Sequence, residues 1–513
     1  MLTSKETPSL LAGFAKQYWP LVIFGILVSW ALSQKYLTPL RHIPGPFFAS
    51  WTRLPRFIAV VRGRPHEWEL DLHRKYGKLV RTGPDLVSVG DPAAINVIYN
   101  ASDKFKKSAF YNPFMVYDDE GLLPDPLVLS DKALHTRMKK NAYNAYSMGS
   151  MLQLEPLVEA VTERFFKILD EMADTPSRTC DLGHWLRYYA TDVIFAVTFG
   201  EDLKFMEKGD PIGMMPMLEY IAGDYVSIVK SSPQLYYLGN LQMHLLTHDS
   251  SVLGNSAPDG ATLKLAQKQV AKFREKMAAN LVTGPCSFVQ RLLEHQVAHP
   301  DSITDRELNT HAFGNVTAGA DTTAIAMRTI MFNVLKNPDI YETLCREIRG
   351  EAKLTLPITY AAASTLPYLD AVIKEALRIH PPTGIMYGRT VPPQGAIVCG
   401  KFMPAGTEVG ISPWVLHYDP ELFPEPEKFQ PERWLSADAD LVAQRKRSMF
   451  AFSAGSHTCL GKHISLMEIT KLVASLLVKY DLALVDPNAK LSFKCRWFTP
   501  QKGLIVKLAK RHL

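Results

Sequence analysis

One helix-forming segment, between Ser302 and Pro338, is long enough to cross an entire protein domain. Apolar residues recur along it at helical spacing, Ser302-Ile-Thr-Asp305 offers an amino-terminal capping box, and Asn337-Pro338 ends the pattern. About 35 residues at ~1.5 Å each give a rod of roughly 50 Å. The segment therefore predicts a mainly α-helical domain that is crossed by one central helix.

The middle of this segment is poor in good helix formers. It reads Ala318-Gly-Ala-Asp-Thr-Thr323, and glycine, an acid and two hydroxyls all favour other conformations. Two interpretations are open. The helix is either widened locally for a functional reason, or kinked and relieved by bonds from threonine hydroxyls to the backbone.

A second informative segment is a glycine-containing loop around Cys459 that runs directly into a helix. The unpaired N–H groups and partial positive charge at a helix start stabilise a thiolate. Gly455 permits a strained turn, and Gly461 leaves room for a flat, bulky partner. These features are typical of a thiolate metal ligand, and the alternative is a buried structural cysteine. The loop reads Phe452-Ser-Ala-Gly455-Ser-His457-Thr-Cys459-Leu-Gly461.

The amino terminus carries an apolar segment. Residues Tyr18 to Leu32 are almost entirely apolar, and weaker apolar sequence extends back to Leu10, so the segment reaches the ~20 residues that a membrane span needs. Basic residues are denser after it than before it, which favours a cytosolic position for the rest of the chain. A signal peptide cleaved near Ala31-Leu-Ser33 is the alternative. We expect an uncleaved anchor, followed by a stiff hinge at Ile43-Pro-Gly-Pro46.

Composition describes an ordinary globular protein. The 513 residues are 47% hydrophobic and 21% charged, and they include no Gly/Ser linker, low-complexity tract or repeat. The net charge of +6 is modest, and the basic clusters lack interleaved aromatic residues, so nucleic-acid binding is not expected. The six cysteines form no C-x-x-C pair, which argues against a zinc cage and a disulfide framework and favours a reducing compartment.

Shorter patterns predict the surroundings of the long helix. His66 to Tyr76 has helical periodicity, and Leu79–Arg81 with Leu86–Val89 predicts a hairpin. Short strands at Ile397–Cys399 and Thr407–Gly410, among many prolines, indicate a minor sheet and an irregular meander. The chain is therefore expected to be mainly α with a minor β region.

Four motifs taken together resemble the cytochrome P-450 superfamily, and they occur in the family's order across nearly the whole chain. Two further stretches, Ala145-Tyr-Ser-Met148 and Cys459 to Ser465, resemble fungal members of the pisatin demethylase type. The resemblance implies the cytochrome P-450 fold with an N-terminal membrane anchor helix. The four motifs are Ala318-Gly-Ala-Asp-Thr-Thr323, Glu375-x-x-Arg378, Pro431-Glu-Arg433 and Phe452-x-x-Gly455-x-x-x-Cys459-x-Gly461.

The resemblance implies a haem cofactor with Cys459 as its proximal thiolate and metal ligand. A thiolate pushes electron density onto iron and favours cleavage of the O–O bond. Glu375, Arg378 and Arg433 would form a buried structural network below the haem. The other residues implied to hold the cofactor are His135, Lys139, Arg389, His457, Phe452, Gly455 and Gly461.

Two of the residues implied to bind the haem propionates depart from the family pattern. Lys139 stands where the family usually has arginine, which removes the bidentate geometry of a guanidinium. His457 also falls at a common arginine position, so its bond to a propionate would depend on pH. Asp321 and Thr322 match the acid–alcohol pair that the family uses for proton delivery, and they are the predicted catalytic residues.

The implied function is that of a membrane-anchored haem-thiolate monooxygenase in fungal secondary metabolite biosynthesis. It would insert one atom of O2 into a lipophilic small molecule and reduce the other to water. Residues 1–40 would form the anchor and hinge, and 41–513 the catalytic domain. We expect a single pass through the endoplasmic reticulum membrane with the catalytic domain in the cytosol.

No flavin motif is recognisable, so electrons would come from a separate NADPH-dependent flavin reductase in the same membrane. An acidic reductase would dock on the basic clusters Lys139-Lys140, Arg445-Lys446-Arg447 and Lys462.

Two other functions remain open at this point: a reductase-independent haem-thiolate isomerase or dehydratase, and a haem sensor without catalytic turnover. By analogy with the family, five segments would surround the substrate: Phe105–Leu129, Met206–Leu246, His311–Thr317, Thr383–Met386 and Trp497–Thr499.

Overall fold

Helices dominate the fold, as the sequence predicts. The computed structural model describes residues 7–102, 104–210, 213–219 and 258–511. The sequence predicts broken helices and mobile loops over Met206–Ser256, and most of that region lies outside the described residues. The described α-helices are α1 Thr7–Leu32, α2 Leu54–Val61, α3 Pro65–Tyr76, α4 Ile95–Ile98, α5 Lys132–Ala142, α6 Met148–Gln153, α7 Glu155–Ala173, α8 Leu182–Phe199, α9 Phe205–Lys208, α10 Met214–Leu218, α11 Pro258–Ala278, α12 Phe288–Ala298, α13 Asp305–Lys336, α14 Pro338–Cys345, α15 Tyr360–Ala363, α16 Pro367–Ile379, α17 Pro413–His417, α18 Ala439–Ser448 and α19 Lys462–Lys479.

Short strands form small sheets beside the helices. The largest has five strands in the order β1-β2-β10-β7-β3, in which β1 and β2 form the predicted antiparallel hairpin and β10 runs parallel to β2. A three-stranded sheet has the order β11-β14-β6. The strands are β1 Leu79–Gly83, β2 Leu86–Val89, β3 Lys106–Lys107, β4 Tyr117–Asp118, β5 Gly121–Leu122, β6 Thr179–Asp181, β7 Arg389–Thr390, β8 Ala396–Val398, β9 Lys401–Met403, β10 Glu408–Gly410, β11 Tyr480–Leu484, β12 Ser492–Phe493, β13 Gln501–Lys502 and β14 Ile505–Lys510.

The predicted central helix is α13, which has 32 residues and packs against α8, α11, α16 and α19. The predicted position of its capping box is wrong by two residues. Thr304 is the N-cap: its hydroxyl accepts a bond from the Glu307 N–H at 3.2 Å, and the Glu307 carboxylate accepts one from the Thr304 N–H at 3.0 Å. A side chain caps the helix only when an N–H three residues onward is within its reach, and Thr304 meets that condition.

Helix α13 remains α-helical through its unusual centre. The Thr322 hydroxyl donates to the Ala318 carbonyl at 2.8 Å, and the Thr317 hydroxyl donates to the Phe313 carbonyl at 3.0 Å. Of the two interpretations offered by the sequence, the structure shows threonine bonding to the preceding turn and no widened turn.

The amino-terminal helix stands apart from this core. Tyr18–Leu37 is 20 residues long, none of it is buried, and its length and composition allow it to cross a membrane. Helix α1 continues into one π-helical turn, Ser33–Leu37. Trp51 and Arg81 bond to this end from the domain: Trp51 Nε1 donates to the Ala31 carbonyl at 2.7 Å, and Arg81 Nη1 and Nη2 both donate to the Gln34 carbonyl at 3.4 Å.

Candidate functional site

The loop before α19 presents Cys459 at an internal cavity. The Cys459 N–H donates to the Phe452 carbonyl at 2.9 Å, and the Thr458 hydroxyl donates to the Gly455 carbonyl at 2.9 Å. Gly455 has a φ of +63°, and a Cβ there would lie 1.7 Å from the Tyr99 carbonyl oxygen. Only glycine fits this position, so the turn that directs Cys459 depends on it.

The Cys459 side chain faces the cavity and is not sealed among apolar neighbours. Its position beneath the protein surface raises the pKa of the thiol, while the N–H groups of Gly461 and Lys462 and the charges of Lys139 and Lys462 act to lower it. A metal cation deprotonates a coordinating thiol outright. The geometry therefore excludes the buried structural cysteine and suits a metal ligand.

The cavity has a volume of about 360 Å³ and lies between α13 and the cysteine loop. Four of the five segments predicted to surround the substrate contribute to its wall, and the described part of the fifth, Met206–Leu246, contributes none. Apolar and aromatic side chains predominate. Those from the predicted segments include Tyr111, Phe114, Val116, Phe313, Trp497 and Phe498, together with the polar His311, Asn315, Thr317 and Thr383.

The residues predicted to bind the propionates all line the cavity. Arg389 is 1% exposed, and its Nη1 donates to the Tyr111 hydroxyl at 3.1 Å, while its Nε has no partner among the described residues. The rings of His135 and His457 lie 4.2 Å apart, centroid to centroid. Lys139, Phe452 and Gly461 also line the cavity, whereas Gly455 acts through the backbone turn.

Lys139 contacts the cysteine loop itself. Its Nζ donates to the carbonyls of Ser456 at 2.6 Å and Thr458 at 3.3 Å, on both sides of His457. Burial lowers the pKa of Lys139, and the nearby Cys459 acts in the opposite direction. The lysine thus ties α5 to the loop that carries the thiol.

The residues present fit a haem. The unpartnered Arg389 Nε is a buried cationic donor beside the cavity, which an anionic group such as a propionate would satisfy. A Cβ added at Gly461 would meet no atom within 4 Å, so the backbone beside Cys459 is open to a flat macrocycle. Cys459 supplies the sulfur that iron needs.

The two predicted catalytic residues face different surroundings. Thr322 lines the cavity. Asp321 is 5% exposed and turns towards α8, where its carboxylate accepts bonds from Arg187 Nε at 2.6 Å and Nη2 at 3.1 Å. Neighbouring residues on a helix point about 100° apart, which explains the separation. Sequence reasoning missed Arg187, although a lone arginine within the apolar α8 was a usable signal.

The predicted network of Glu375, Arg378 and Arg433 lies beneath the cysteine loop. Arg378 Nε and Nη2 donate to the two Glu375 oxygens at 2.9 and 2.8 Å, and Arg433 Nε donates to Glu375 Oε1 at 2.9 Å. Trp434 Nε1 adds a bond to Glu375 Oε2 at 2.9 Å. Glu375 and Arg378 are 0% exposed, so the network is structural, as predicted.

One residue of the predicted docking surface belongs to this interior instead. Arg445 is 5% exposed, and its guanidinium donates to the Leu422 carbonyl at 2.8 Å and the Arg433 carbonyl at 2.6 Å. The prediction that Arg445 offers a surface charge is wrong, because its guanidinium is buried and satisfies the backbone carbonyls of Leu422 and Arg433.

Comparison of the sequence with known proteins identifies a family whose members bind haem through a cysteine, as the geometry of this site suggests. The family model for cytochrome P-450 matches residues 39–508. The chain is 37% identical over 476 residues to a cytochrome P-450 monooxygenase of Aspergillus terreus, covering 90% of this chain and 95% of that protein. It is 34% identical over 479 residues to the cytochrome P-450 monooxygenase cicH of Emericella nidulans, covering 92% and 94% of the two chains.

A third relative, the cytochrome P-450 monooxygenase gsfF of Penicillium aethiopicum, is 34% identical over 507 residues, with 96% of this chain and 97% of the relative aligned. These alignments span the cysteine loop, the central helix and the buried network. The chain therefore belongs to the cytochrome P-450 family of haem-thiolate monooxygenases.

Proposed function

We propose that the protein is a membrane-anchored monooxygenase that oxidises a lipophilic small molecule in fungal secondary metabolism. The observation that carries this proposal is a thiol, Cys459, which shares an internal cavity with the hydroxyl of Thr322. The fungal monooxygenases among its relatives support the same reaction class.

In this proposal the side chains of the protein bind the cofactor and deliver protons to the cavity. Haem bound through a cysteine thiolate supplies the activation of O2 and the cleavage of its O–O bond. Cys459 is the ligand, and Arg389, His135 and His457 hold the propionates, while Lys139 fixes the loop. Gly455 sets the turn, and Phe452 and Gly461 form the wall beside the macrocycle.

Thr322 holds a proton at the cavity through its hydroxyl, which can leave the Ala318 carbonyl to bond a cavity water. Asp321 is paired with Arg187, so its carboxylate reaches the cavity side only when that ion pair opens. We assign the catalytic pair these two roles: Thr322 orients the proton, and Asp321 resupplies it.

The lining favours a largely apolar substrate with a limited number of polar groups. Phe114, Phe313 and Trp497 offer apolar surface, and a buried imidazole, His311, faces the same space. Burial lowers the pKa of His311 to about 4, so the ring is neutral at physiological pH and can donate or accept one hydrogen bond.

Electrons come, in this proposal, from an NADPH-dependent flavin reductase. Arg445 is excluded by burial, and the ammonium of the half-buried Lys139 is engaged by the Ser456 and Thr458 carbonyls. The basic residues that remain for docking are Lys140, Lys446 and Arg447, which are exposed, and the half-buried Lys462. Residues 1–40 anchor the protein in the endoplasmic reticulum membrane by a single pass, with residues 41–513 as the cytosolic catalytic domain.

Microsomes that contain the protein and a reductase test this function. Incubation with extracts of secondary metabolites, followed by mass analysis, should show a product heavier by one oxygen atom, or its demethylated or ring-oxidised derivative, that forms only with NADPH and O2. Isotopic O2 should label a product that has gained an oxygen atom; after a demethylation the label leaves with the methyl carbon. Conversion without NADPH would instead support the isomerase alternative and contradict the proposal.

A further inference from the structure

His311 of α13 is a buried imidazole beside the cavity, and neither of its ring nitrogens bonds to another side chain or carbonyl in the described part of the chain. Its side chain is 3% exposed, and it lines the cavity. Its ring lies near that of Tyr146, with the two centroids 6.1 Å apart. A buried polar ring without a hydrogen bond costs free energy, so a ligand that bonds to it recovers that cost.

The other polar side chains of α13 that line the cavity already have partners. The Asn315 oxygen accepts a bond from the Tyr146 hydroxyl at 2.7 Å, and the Thr323 and Ser465 hydroxyls lie 3.1 Å apart. Three hydroxyls donate to carbonyls of the preceding turn, those of Thr310 at 2.8 Å, Thr317 at 3.0 Å and Thr322 at 2.8 Å. Among the described residues of α13, His311 is therefore the polar lining group that is left for a ligand.

Polar lining atoms without a partner elsewhere in the described chain belong to other parts of the site. Arg389 Nε is assigned to a haem propionate, and Glu468 Oε1 lies on α19, the helix that follows Cys459. His311 instead lies near the amino-terminal end of α13. This position separates it from the residues that would hold the cofactor.

One face of α13 connects His311 with the part of the cavity that contains the thiol. His311, Asn315, Ala318 and Thr322 follow one another at intervals of three or four residues, so they share a helix face, and all four line the cavity. His311 lies three helical turns before Thr322, which is roughly 16 Å at ~1.5 Å per residue. Because Thr322 shares the cavity with Cys459, a group bonded to His311 lies far from the predicted iron ligand.

The helix surface between these two ends leaves room for a ligand. Ala318 presents only a methyl group, and a Cβ added at Gly314 would meet no atom within 4 Å. Asn315 is bonded to Tyr146, and Phe313 contributes an apolar ring to the cavity wall. An extended, mainly apolar molecule can therefore lie along this face of α13.

The surroundings of His311 suit an uncharged partner. Burial lowers the pKa of His311 to about 4, and no charged side chain of the described residues contributes to this shift. The neutral ring accepts a hydrogen bond at one nitrogen and donates one at the other, so it complements a hydroxyl or a carbonyl. It offers no counter-charge to a carboxylate, whose burial there would be costly.

We propose that His311 is a specificity-determining residue, which binds a neutral hydroxyl or carbonyl group at one end of an elongated substrate and so directs oxidation to a carbon atom roughly 10–16 Å from that group. This inference rests on the proposed function, since it assigns a substrate class and an orientation to the same cavity. The oxygen function that is bound and the carbon that is oxidised then lie at opposite ends of the molecule.

Imidazoles with an alkyl tail test this proposal in the holoenzyme without turnover, because the imidazole nitrogen binds haem iron and the tail extends into the cavity. The probes are N-(ω-hydroxyalkyl)imidazoles and N-alkylimidazoles of equal length, from butyl to tetradecyl. Difference spectra give the dissociation constant of each. The preference for the hydroxyl over the methyl end should be roughly tenfold greater in the long members than in the short ones, because only the long tails reach His311.

Three variants assign this preference to the side chain. His311→Leu should lower the preference of the long members roughly tenfold and leave the short members unchanged, because the hydroxyl is then buried without a partner. His311→Gln keeps a donor and an acceptor and should retain most of the preference. Thr317→Val is the matched control, since the Thr317 hydroxyl lines the cavity but is already bonded. The spectrum of the reduced carbonyl complex should match the wild type in all three.

Two results would overturn the assignment: a wild-type preference that does not change with tail length, and an equal preference in the wild type and His311→Leu. If His311→Leu lacks the carbonyl-complex spectrum, the length series in the wild type and His311→Gln decides. Tighter binding of the long ω-carboxyalkyl imidazoles than of the hydroxyalkyl ones would contradict a neutral partner. A wild type that consumes no NADPH with reductase would overturn the proposed function, and the length series would still report binding at His311, so the two failures are distinguishable.

Discussion

At the scale of single residues, the proposed binding of haem iron depends on the thiol of Cys459. Cys459→Ser replaces the sulfur ligand with a weakly basic hydroxyl, so the thiolate-type spectrum of the reduced carbonyl complex should disappear while helix content is retained. Difference spectra and circular dichroism measure the two properties. Cys399→Ser is the control, because this cysteine lies outside the cavity lining, and its spectrum should match the wild type. A thiolate spectrum in Cys459→Ser would refute the ligand assignment.

The sequence predicts which residues lie at the pocket better than it predicts where their side chains point. Eight predicted residues line the cavity together: Thr322, Cys459, His135, Lys139, Arg389, Phe452, His457 and Gly461. The partners of Asp321, Lys139 and Arg445 could not be predicted. They depend on residues such as Arg187 and on backbone carbonyls that only the tertiary fold brings close.

Sequence reasoning also missed Glu468, whose side chain is 2% exposed and lines the cavity. It is a lone acid among apolar residues of α19, and a pattern alone does not show whether such an acid is buried. The packing of α13 against α19 belongs to the tertiary fold and decides the outcome.

At the scale of secondary-structure elements, Glu375 joins α16 to the segment that carries Arg433 and Trp434. Glu375→Ala should destabilise the protein by about 3–5 kcal/mol, because it leaves the buried guanidiniums of Arg378 and Arg433 without their counter-charge. Urea unfolding followed by tryptophan fluorescence measures the change. Asp370→Ala removes an exposed pair with Lys374 on the same helix and should change the free energy of unfolding by less than about 0.5 kcal/mol. Equal effects of the two changes would contradict this assignment.

His417 connects that network to the loop and should make stability depend on pH. Its Nε2 accepts a bond from the Phe450 N–H at 2.9 Å, and its Nδ1 lies 3.2 Å from the Arg378 carbonyl, which fixes a neutral ring. Burial lowers the pKa of His417 to about 3, from 6.5 in an unfolded chain. The unfolded state therefore binds more protons below pH 6.5, and stability falls as the pH drops towards about 3.

The contribution of His417 amounts to roughly 5 kcal/mol over this range, since each pH unit is worth about 1.4 kcal/mol. Chemical denaturation at a series of pH values should show a shallower acid dependence in His417→Gln than in the wild type. The exposed His299→Gln serves as the control and should leave the slope unchanged. An unaltered slope in His417→Gln would show that the ring takes up a proton in the folded protein.

Helices and strands with a clear hydrophobic periodicity, or with turn residues at their ends, were predicted correctly. The helix at 65–76 and the hairpin of β1 and β2 lie where periodicity and turn residues place them. The cap of α13 was misplaced because several hydroxyls and acids between 302 and 307 compete for the role, and only the geometry of the turn selects Thr304.

At the scale of the whole molecule, the anchor should be separable from the domain. Deletion of residues 1–37 removes an unburied helix and, among the described residues, a few hydrogen bonds to the domain, which come from Arg41, Trp51 and Arg81. The truncated protein should keep its haem spectrum and shift from the membrane pellet to the supernatant on ultracentrifugation. The full-length chain in the same lysate is the control. An unchanged pellet fraction would show that other surfaces suffice for attachment.

The short connection between α1 and the domain also restricts how the molecule can tilt. Trp51 and Arg81 donate hydrogen bonds to carbonyls in the last turns of the apolar helix. These bonds limit the motion of the domain relative to the helix more than a long flexible linker would. A protein embedded by this helix would therefore present one preferred face to the lipid leaflet, the face that includes the exposed rings of Phe47 and Phe48. Compounds that partition into the leaflet would meet the enzyme in one orientation, and their solubility in lipid would govern how often they arrive.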